Sequence, residues 1–141
     1  MTATNMNQLK QMIMKKVQKA MVVSQEKMLA DMYDETGNFY TGREPKVYKR
    51  TGALGDTPRI TTITTNSNSV SFEAYLDQKH QYTTGSNPNM LQVLRLANSK
   101  VPFYTKGGHM ARATVGRKGF WERANKKMKK SFNNTMRRFF R

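Results

Sequence analysis

Histidine and carboxylate side chains are the residues of this chain most able to do acid–base or metal chemistry, and their spacing argues against both. His80 and His109 lie far apart in polar segments and lack the spacing of a histidine metal motif. Of the nine acidic residues only Asp34 and Glu35 are adjacent, and there are no cysteines to form disulfides or thiolate metal sites. We therefore predict a protein that is not an enzyme, with no catalytic residue, no metal and no cofactor.

Positive charge is the strongest signal in the sequence, and it is concentrated near the C-terminus. The 141 residues include 25 Lys and Arg against 9 Asp and Glu, which gives a net charge of +16. Residues 112–141 carry eleven of the basic residues, with Glu122 as their one acid. The residues predicted to face DNA or an acidic partner are Arg123, Lys126, Lys127, Lys129, Lys130, Arg137 and Arg138.

Three kinds of surroundings remain open for this basic segment. It can contact DNA or RNA phosphates, it can face an acidic protein or solvent, or it can lie on a membrane surface. The segment is predicted to form a helix over 119–141, because apolar residues recur every four positions. These are Phe120, Ala124, Met128, Phe132, Met136 and Phe140. Since the aromatics fall on this stripe, we expect them to pack in the core and not to stack on bases.

A long amphipathic helix is also predicted at the other end of the chain, over about 5–33 within an N-terminal segment 1–36. Thr4 or Asn5 is the predicted cap, and Gly37-Asn38 is predicted to end the helix. Apolar residues recur at steps of three and four: Leu9, Met12, Ile13, Val17, Ala20, Met28 and Met32. The pattern is typical of a helix whose apolar face packs against the core.

The middle of the chain is predicted to hold a connector, a hairpin and variable loops. Residues 37–57 form a glycine-punctuated connector, and 58–118 contain the hairpin and loops. The hairpin is predicted over 58–76, with Val70, Phe72, Ala74 and Leu76 on one face. A short helix is predicted from Met90 to Asn98, and a loop or short strand from Met110 to Val115. A hairpin alone is marginally stable, so we expect it to join a larger sheet, within the chain or with a neighbouring subunit.

These elements together predict one α+β domain with long helices at both ends and a small antiparallel sheet. The apolar fraction of 37% is below the typical range of about 45–50%, which is consistent with arms that extend from an incomplete core. No apolar run approaches the roughly 18 residues of a membrane span, and the first nine residues do not form a signal peptide. We expect a soluble protein that is made and used without secretion.

The order of the elements resembles the tail-completion and head–tail joining proteins of long-tailed bacteriophages. Those small α+β proteins carry an aromatic–x–Arg–Thr–Gly–x–Leu segment just before their first strands. Here that pattern is matched by Tyr48, Arg50, Thr51, Gly52 and Leu54. The C-terminal helix, which opens with Gly119-Phe120-Trp121-Glu122-Arg123-Ala124, completes the order.

The resemblance implies a structural protein of the virion neck or upper tail, made in the host cytoplasm. Such proteins form rings, commonly hexamers, around the DNA passage and bind adjacent neck and tail proteins. The five matching residues, from Tyr48 to Leu54, are then expected at a subunit or partner interface. DNA in the channel is a further expected neighbour, and no membrane partner is implied. The alternative is a free nucleic-acid-binding protein that contacts the phosphate backbone without sequence specificity.

Overall fold

A computed structural model describes residue 2 and residues 4–41, 52–80, 90–98 and 116–141 of the chain. The helices in these ranges are α1 (Met6–Phe39), α2 (Met90–Asn98) and α3 (Phe120–Phe139). A 3-10 turn at Ala53–Asp56 is followed by four short strands: β1 (Pro58–Ile60), β2 (Thr64–Thr65), β3 (Val70–Ser71) and β4 (Ala74–Leu76). The predicted α+β class is confirmed. The segment predicted as a loop or strand over 110–115 lies outside the described residues.

Helix α1 begins at the predicted cap and ends later than predicted. The side chain of Asn5 accepts a hydrogen bond from the backbone N–H of Gln8 at 2.9 Å. The predicted end at Gly37-Asn38 is wrong, because the helix continues through Phe39, which is 4% exposed. A glycine in a helix costs about 1 kcal/mol, whereas burying a phenylalanine side chain contributes about 1.5–3 kcal/mol. Burial of the Phe39 ring therefore outweighs the helix-breaking tendency of Gly37.

Helices α1 and α3 pack antiparallel and form the main layer of the fold. Ser131 donates to Asp31 at 2.6 Å, and the Lys27 ammonium lies 3.5 Å from the hydroxyl of Thr135. Later residues of α3 therefore contact earlier residues of α1. One core cluster between them contains Met32, Ala124 and Met128. A second cluster lies where α2 and the 3-10 turn join them: Phe39, Ala53, Leu54, Val93, Leu94, Ala97 and Phe120.

Near the start of α1, the apolar face that was predicted to pack against the core is only partly buried, and the first buried residues are Ala20 and Met21. Leu9 is 42% exposed and Ile13 is 46% exposed. The start of α1 is exposed because α3 is too short to reach it. Helix α3 ends at Phe139, and the ring centre of the next residue, Phe140, lies 5.4 Å from the Lys16 ammonium. Helix α3 therefore covers α1 only from about Lys16 onward.

The strands form one bulged hairpin. β1 pairs with β4, and β2 with β3, both antiparallel. Beyond the β1–β4 pair, the N–H of Thr61 donates to the Glu73 carbonyl, and the N–H of Glu73 donates to the Thr61 hydroxyl. Between this pair and the β2–β3 pair, Thr62 and Ile63 therefore lie opposite the single residue Phe72. An extra residue of this kind is a β-bulge, which bends and twists the strands. The predicted face is confirmed, since Val70, Phe72, Ala74 and Leu76 are half-buried while their neighbours Ser71, Glu73 and Tyr75 are exposed.

The start of α3 is fixed by α2 and by the end of α1. Asn98, the last residue of α2, accepts from the N–H of Trp121 with its side chain and from the N–H of Gly119 with its backbone carbonyl, both at 3.0 Å. Gly116 passes so close to Phe39 that an added Cβ would lie 2.5 Å from the Phe39 carbonyl oxygen. Only glycine permits this approach, and it lets Arg117 donate to the same carbonyl at 2.9 Å.

Candidate interaction surfaces

The basic residues of α3 divide into a part that faces α1 and a part that faces solvent. Arg123, which was predicted to face DNA or an acidic partner, faces α1. It donates from Nε to Glu35 at 2.7 Å and from a terminal nitrogen to the Lys118 carbonyl at 2.6 Å. Lys127 lies 2.6 Å from the same Glu35 carboxylate and also contacts Asp34. These two cations therefore join α3 to α1.

The Glu35 carboxylate is the electrostatic centre of this contact. Its side chain is 3% exposed, and burial alone would raise its pKa. The hydrogen bonds and charges of Lys127 and Arg123 reverse that effect and hold the pKa of Glu35 below its ordinary value of 4.5. The same contact, led by the hydrogen bond to Asp34, raises the pKa of Lys127. Glu35 is thus an ionised, buried group that fixes the position of α3.

The remaining predicted cations form an exposed basic face on α3. This basic face consists of Lys126, Lys129, Lys130, Arg137 and Arg138, all exposed, and the described residues after Glu122 on this helix include no acid. Positive side chains near a helix C-terminus are also favoured by the helix dipole. Lys16 of α1 adds a cation near the end of α3, because its ammonium lies 5.4 Å from the centre of the Phe140 ring. The result is a polyvalent cationic surface suited to an extended anion.

The segment that carries the phage-like pattern is described only at its end. Tyr48, Arg50 and Thr51 lie outside the described residues. Gly52 is exposed and has a φ of +78°, a left-handed conformation that favours glycine, and it opens the 3-10 turn. Leu54 is 2% exposed in the core, and its N–H donates to the Tyr40 hydroxyl at 3.1 Å. Leu54 therefore has a packing role within the chain.

Exposed apolar side chains mark a second candidate surface, which the sequence pattern did not identify. Five of the seven large exposed hydrophobic side chains in the described part of the chain lie on α1. They are Met6, Leu9, Ile13, Val22 and Tyr33, from 42% to 77% exposed. The periodicity of α1 indicated which residues share a face, but not that α3 stops short of that face. Met6, Leu9 and Ile13 lie on one side of the helix within about two turns, and a contiguous apolar group is typical of a surface that another chain covers.

A cavity of about 450 Å³ lies between the end of the hairpin, α2 and the start of α3. Its described lining includes Tyr75, Lys79, Arg95 and Trp121 but no carboxylate or histidine, so it offers no acid–base pair there. His80 lies nearby in sequence, 3.9 Å from the exposed carboxylate of Asp56, while His109 is outside the described residues. Within the described ranges, no three histidine, cysteine or acidic side chains cluster closely enough to hold a metal ion.

Among the helices described, none has the length and apolar character needed to cross a membrane.

Comparison with known families adds one finding to this geometry. The model of the YomN family matches residues 5–141, which is nearly the whole chain. The chain belongs to the YomN family. That family is phage-related, in agreement with the phage resemblance of the sequence at this coarser level. No curated protein and no solved structure matches the chain significantly.

Proposed function

We propose that the chain is a structural protein of the virion, a ring subunit at the neck or tail terminus that joins head and tail. Membership in a phage-related family supports a role in a phage, and the Tyr48 to Leu54 pattern supports a neck position. Under this proposal the protein has no catalytic task. Its partners are copies of itself, in a hexamer by analogy with the resemblance, and the adjacent neck and tail proteins.

The observation that carries the assembly part of the proposal is the exposed apolar side chains in the first turns of α1. Residues 6–13 extend for about 12 Å at 1.5 Å per residue. Met6, Leu9 and Ile13 remain exposed along this length, and Met6 reaches 77%. Leaving large apolar side chains in water costs free energy, at about 25 cal/mol for each Å². A neighbouring subunit that buries this stretch recovers that free energy.

The basic face of α3 gives the ring a second surface. Its charge fits DNA in the channel or an acidic face of an adjacent ring. Both partners are anionic, and neither needs the base-reading motifs that this sequence lacks. Phe120 is 1% exposed, and Trp121, Phe132 and Phe139 are partly buried, so contact of α3 with DNA would be made mainly to the phosphate backbone. Phe140, which was predicted to pack in the core, is 47% exposed just beyond the end of the helix.

The same basic face favours one other function, a free nucleic-acid-binding protein that contacts the phosphate backbone. The two functions differ in what the isolated chain does without nucleic acid. A ring subunit associates with itself, whereas a free binding protein remains a monomer until DNA is added. The exposed apolar residues of α1 favour the ring, because backbone binding gives no role to Met6, Leu9 and Ile13.

Sedimentation of the purified, nuclease-treated chain at physiological salt, followed by a gel shift with duplex DNA at low salt, tests the proposal. Nuclease treatment is needed because a protein of charge +16 binds contaminating nucleic acid. We expect oligomers of ring size that persist without DNA across a tenfold range of concentration. A chain that stays monomeric and binds duplex DNA tightly would contradict the ring proposal and support the free binding protein.

A further inference from the structure

The two edges of the hairpin differ in how their backbone groups are paired. The edge formed by β1 begins with Pro58, which has no N–H, and the Thr61 carbonyl just beyond β1 accepts a hydrogen bond from the Gln25 side chain of α1 at 2.6 Å. A proline and coverage by another element are both devices that keep a strand edge from pairing with a further chain. Within the described part of the chain, the edge formed by β4 has neither.

Two residues of β4 direct their backbone groups away from β1. The N–H of Asp77 donates to the Thr57 carbonyl at 2.7 Å, which fixes one bonded position of the β1–β4 ladder. Because bonded and non-bonded pairs alternate in an antiparallel ladder, the N–H and C=O groups of Ala74 and Leu76 point outward. No hydrogen bond reaches these outward groups from the part of the chain that the structure describes. They form a template for one more strand.

The cavity of about 450 Å³ lies directly beside this edge. Tyr75 and Leu76 both line it, although successive side chains of a strand point to opposite faces of the sheet. A space that both side chains reach lies at the edge of the strand and not on one face. The buried side chains of Leu94 and Phe120 also line it. A strand added to β4 at the usual spacing of about 4.8 Å would run along this space, with room for one of its apolar side chains.

The charged side chains that line the cavity are both positive among the described residues. Lys79 and Arg95 are exposed, and neither has an ion-pair partner in the described ranges. The Asn98 side-chain oxygen accepts from the Trp121 N–H at 3.0 Å, which leaves the amide N–H groups of Asn98 as donors. The surroundings therefore favour a bound segment that supplies carboxylates and carbonyl oxygens.

We propose that the β4 edge site, which consists of Ala74, Leu76 and the adjoining cavity, binds an extended acidic segment of a partner protein. The segment pairs with β4 as a further strand, places an apolar side chain in the cavity and sets a carboxylate near Lys79 and Arg95. Main-chain hydrogen bonds give such a contact its affinity, and side-chain pockets give it specificity. The site goes beyond the proposed ring and does not depend on it.

Single-stranded nucleic acid fits the same site less well. The outward carbonyl groups of Ala74 and Leu76 are acceptors and would face its phosphates, which cannot donate to them. The cavity is also mostly apolar, whereas a nucleotide is polar along its whole backbone. A peptide strand instead matches each outward N–H and C=O with a partner of its own.

Fluorescence anisotropy with a labelled probe peptide tests the site on the full chain. The probe has about eight residues, within the range of ordinary strands, that alternate valine and glutamate, with phenylalanine in place of a central valine. A second peptide of the same sequence carries N-methyl groups on its central residues, which keeps the charge but removes the N–H groups needed for pairing. At physiological salt, we expect the methylated peptide to bind about tenfold more weakly, the effect of one or two lost hydrogen bonds.

Two variants locate the binding. Ala74→Pro removes an outward N–H without removing a bond of the β1–β4 ladder, a position where an edge strand tolerates proline. It should weaken the probe about tenfold and leave sedimentation unchanged. Lys79→Glu with Arg95→Glu should weaken the probe at least as much. The matched control, Lys15→Glu with Lys19→Glu, changes the net charge equally at exposed positions of α1 and should retain most of the affinity.

The possible outcomes are distinct. A probe that does not bind, or equal binding of the methylated peptide, would overturn the proposed strand pairing. Loss of oligomers in Ala74→Pro would assign the edge to a second copy of the chain and overturn the proposal. Oligothymidylate binding that is lost in Lys79→Glu with Arg95→Glu, with a probe indifferent to Ala74→Pro, would assign the cavity to nucleic acid.

A monomer that binds the probe through Ala74 would contradict the ring and leave the β4 edge site intact. Circular dichroism of each variant establishes that the helices have formed. If Ala74→Pro does not fold, the methylated peptide and the charge-reversed pair decide the question.

Discussion

Replacing Glu35 with glutamine is expected to destabilise the folded chain by about 2–3 kcal/mol at neutral pH. Removing one partner of a fully buried ion pair costs about 3–5 kcal/mol, and the cost is lower here because Arg123 and Lys127 are partly exposed. Glutamine keeps the shape of the side chain but leaves two cations near an uncharged group. Urea unfolding followed by circular dichroism measures the change in the free energy of unfolding.

The pH dependence of this effect identifies its origin. The pKa of Glu35 is lowered in the folded chain, so its contribution is present above about 4.5 and is lost as the pH falls through the folded-state value. The difference between the natural chain and Glu35→Gln should therefore shrink in acid. Glu26→Gln, an exposed acid on the same helix, is the matched control and should change stability by less than about 0.5 kcal/mol. Equal effects of the two variants would show that Glu35 does not hold α3 in place.

Replacing Lys126, Lys129 and Lys130 with glutamine is expected to weaken duplex DNA binding by about a hundredfold at about 0.1 M salt. Each phosphate contact that is lost lowers the slope of log affinity against log salt by about 0.9. Stability should stay within about 0.5 kcal/mol, because these side chains are exposed. Lys127 is left unchanged, since it pairs with Asp34 and Glu35.

The control variant, Lys15→Gln with Lys19→Gln and Lys79→Gln, removes the same number of positive charges from positions outside α3. All three lysines are exposed. If the basic face is the binding surface, the control should retain most of the affinity and salt dependence. Equal losses in the two triple variants would mean that only net charge matters. No loss in either variant would mean that the basic face meets protein or solvent.

Local patterns in the sequence predicted the elements well. Asn5 as a cap, α2 from Met90 to Asn98 and the alternating face of the hairpin follow from propensity and periodicity alone. The end of α1 could not be predicted in this way. Gly37 is a local stop signal, whereas the burial of Phe39 depends on Phe120 and Leu54, which are distant in the sequence.

The candidate surfaces were predictable only in part, for the same reason. Spacing placed Arg123 and Lys127 with the exposed lysines, but their partner Glu35 lies 88 residues from Arg123 in the chain. Periodicity placed Leu9 and Ile13 on one face of α1, but only the length and position of α3 decide that this face is uncovered. Tertiary contacts therefore remove two residues from the predicted basic face and add an apolar surface.

Electron microscopy of the phage particle is the most direct test of the central claim, that this chain is a ring subunit joining head and tail. A reconstruction of the neck and upper tail at side-chain resolution would locate the chain and count its copies. We predict a closed ring around the DNA passage, with α3 turned toward DNA or an acidic neighbouring ring. Complete particles whose neck and tail contain no density for this chain would contradict the account.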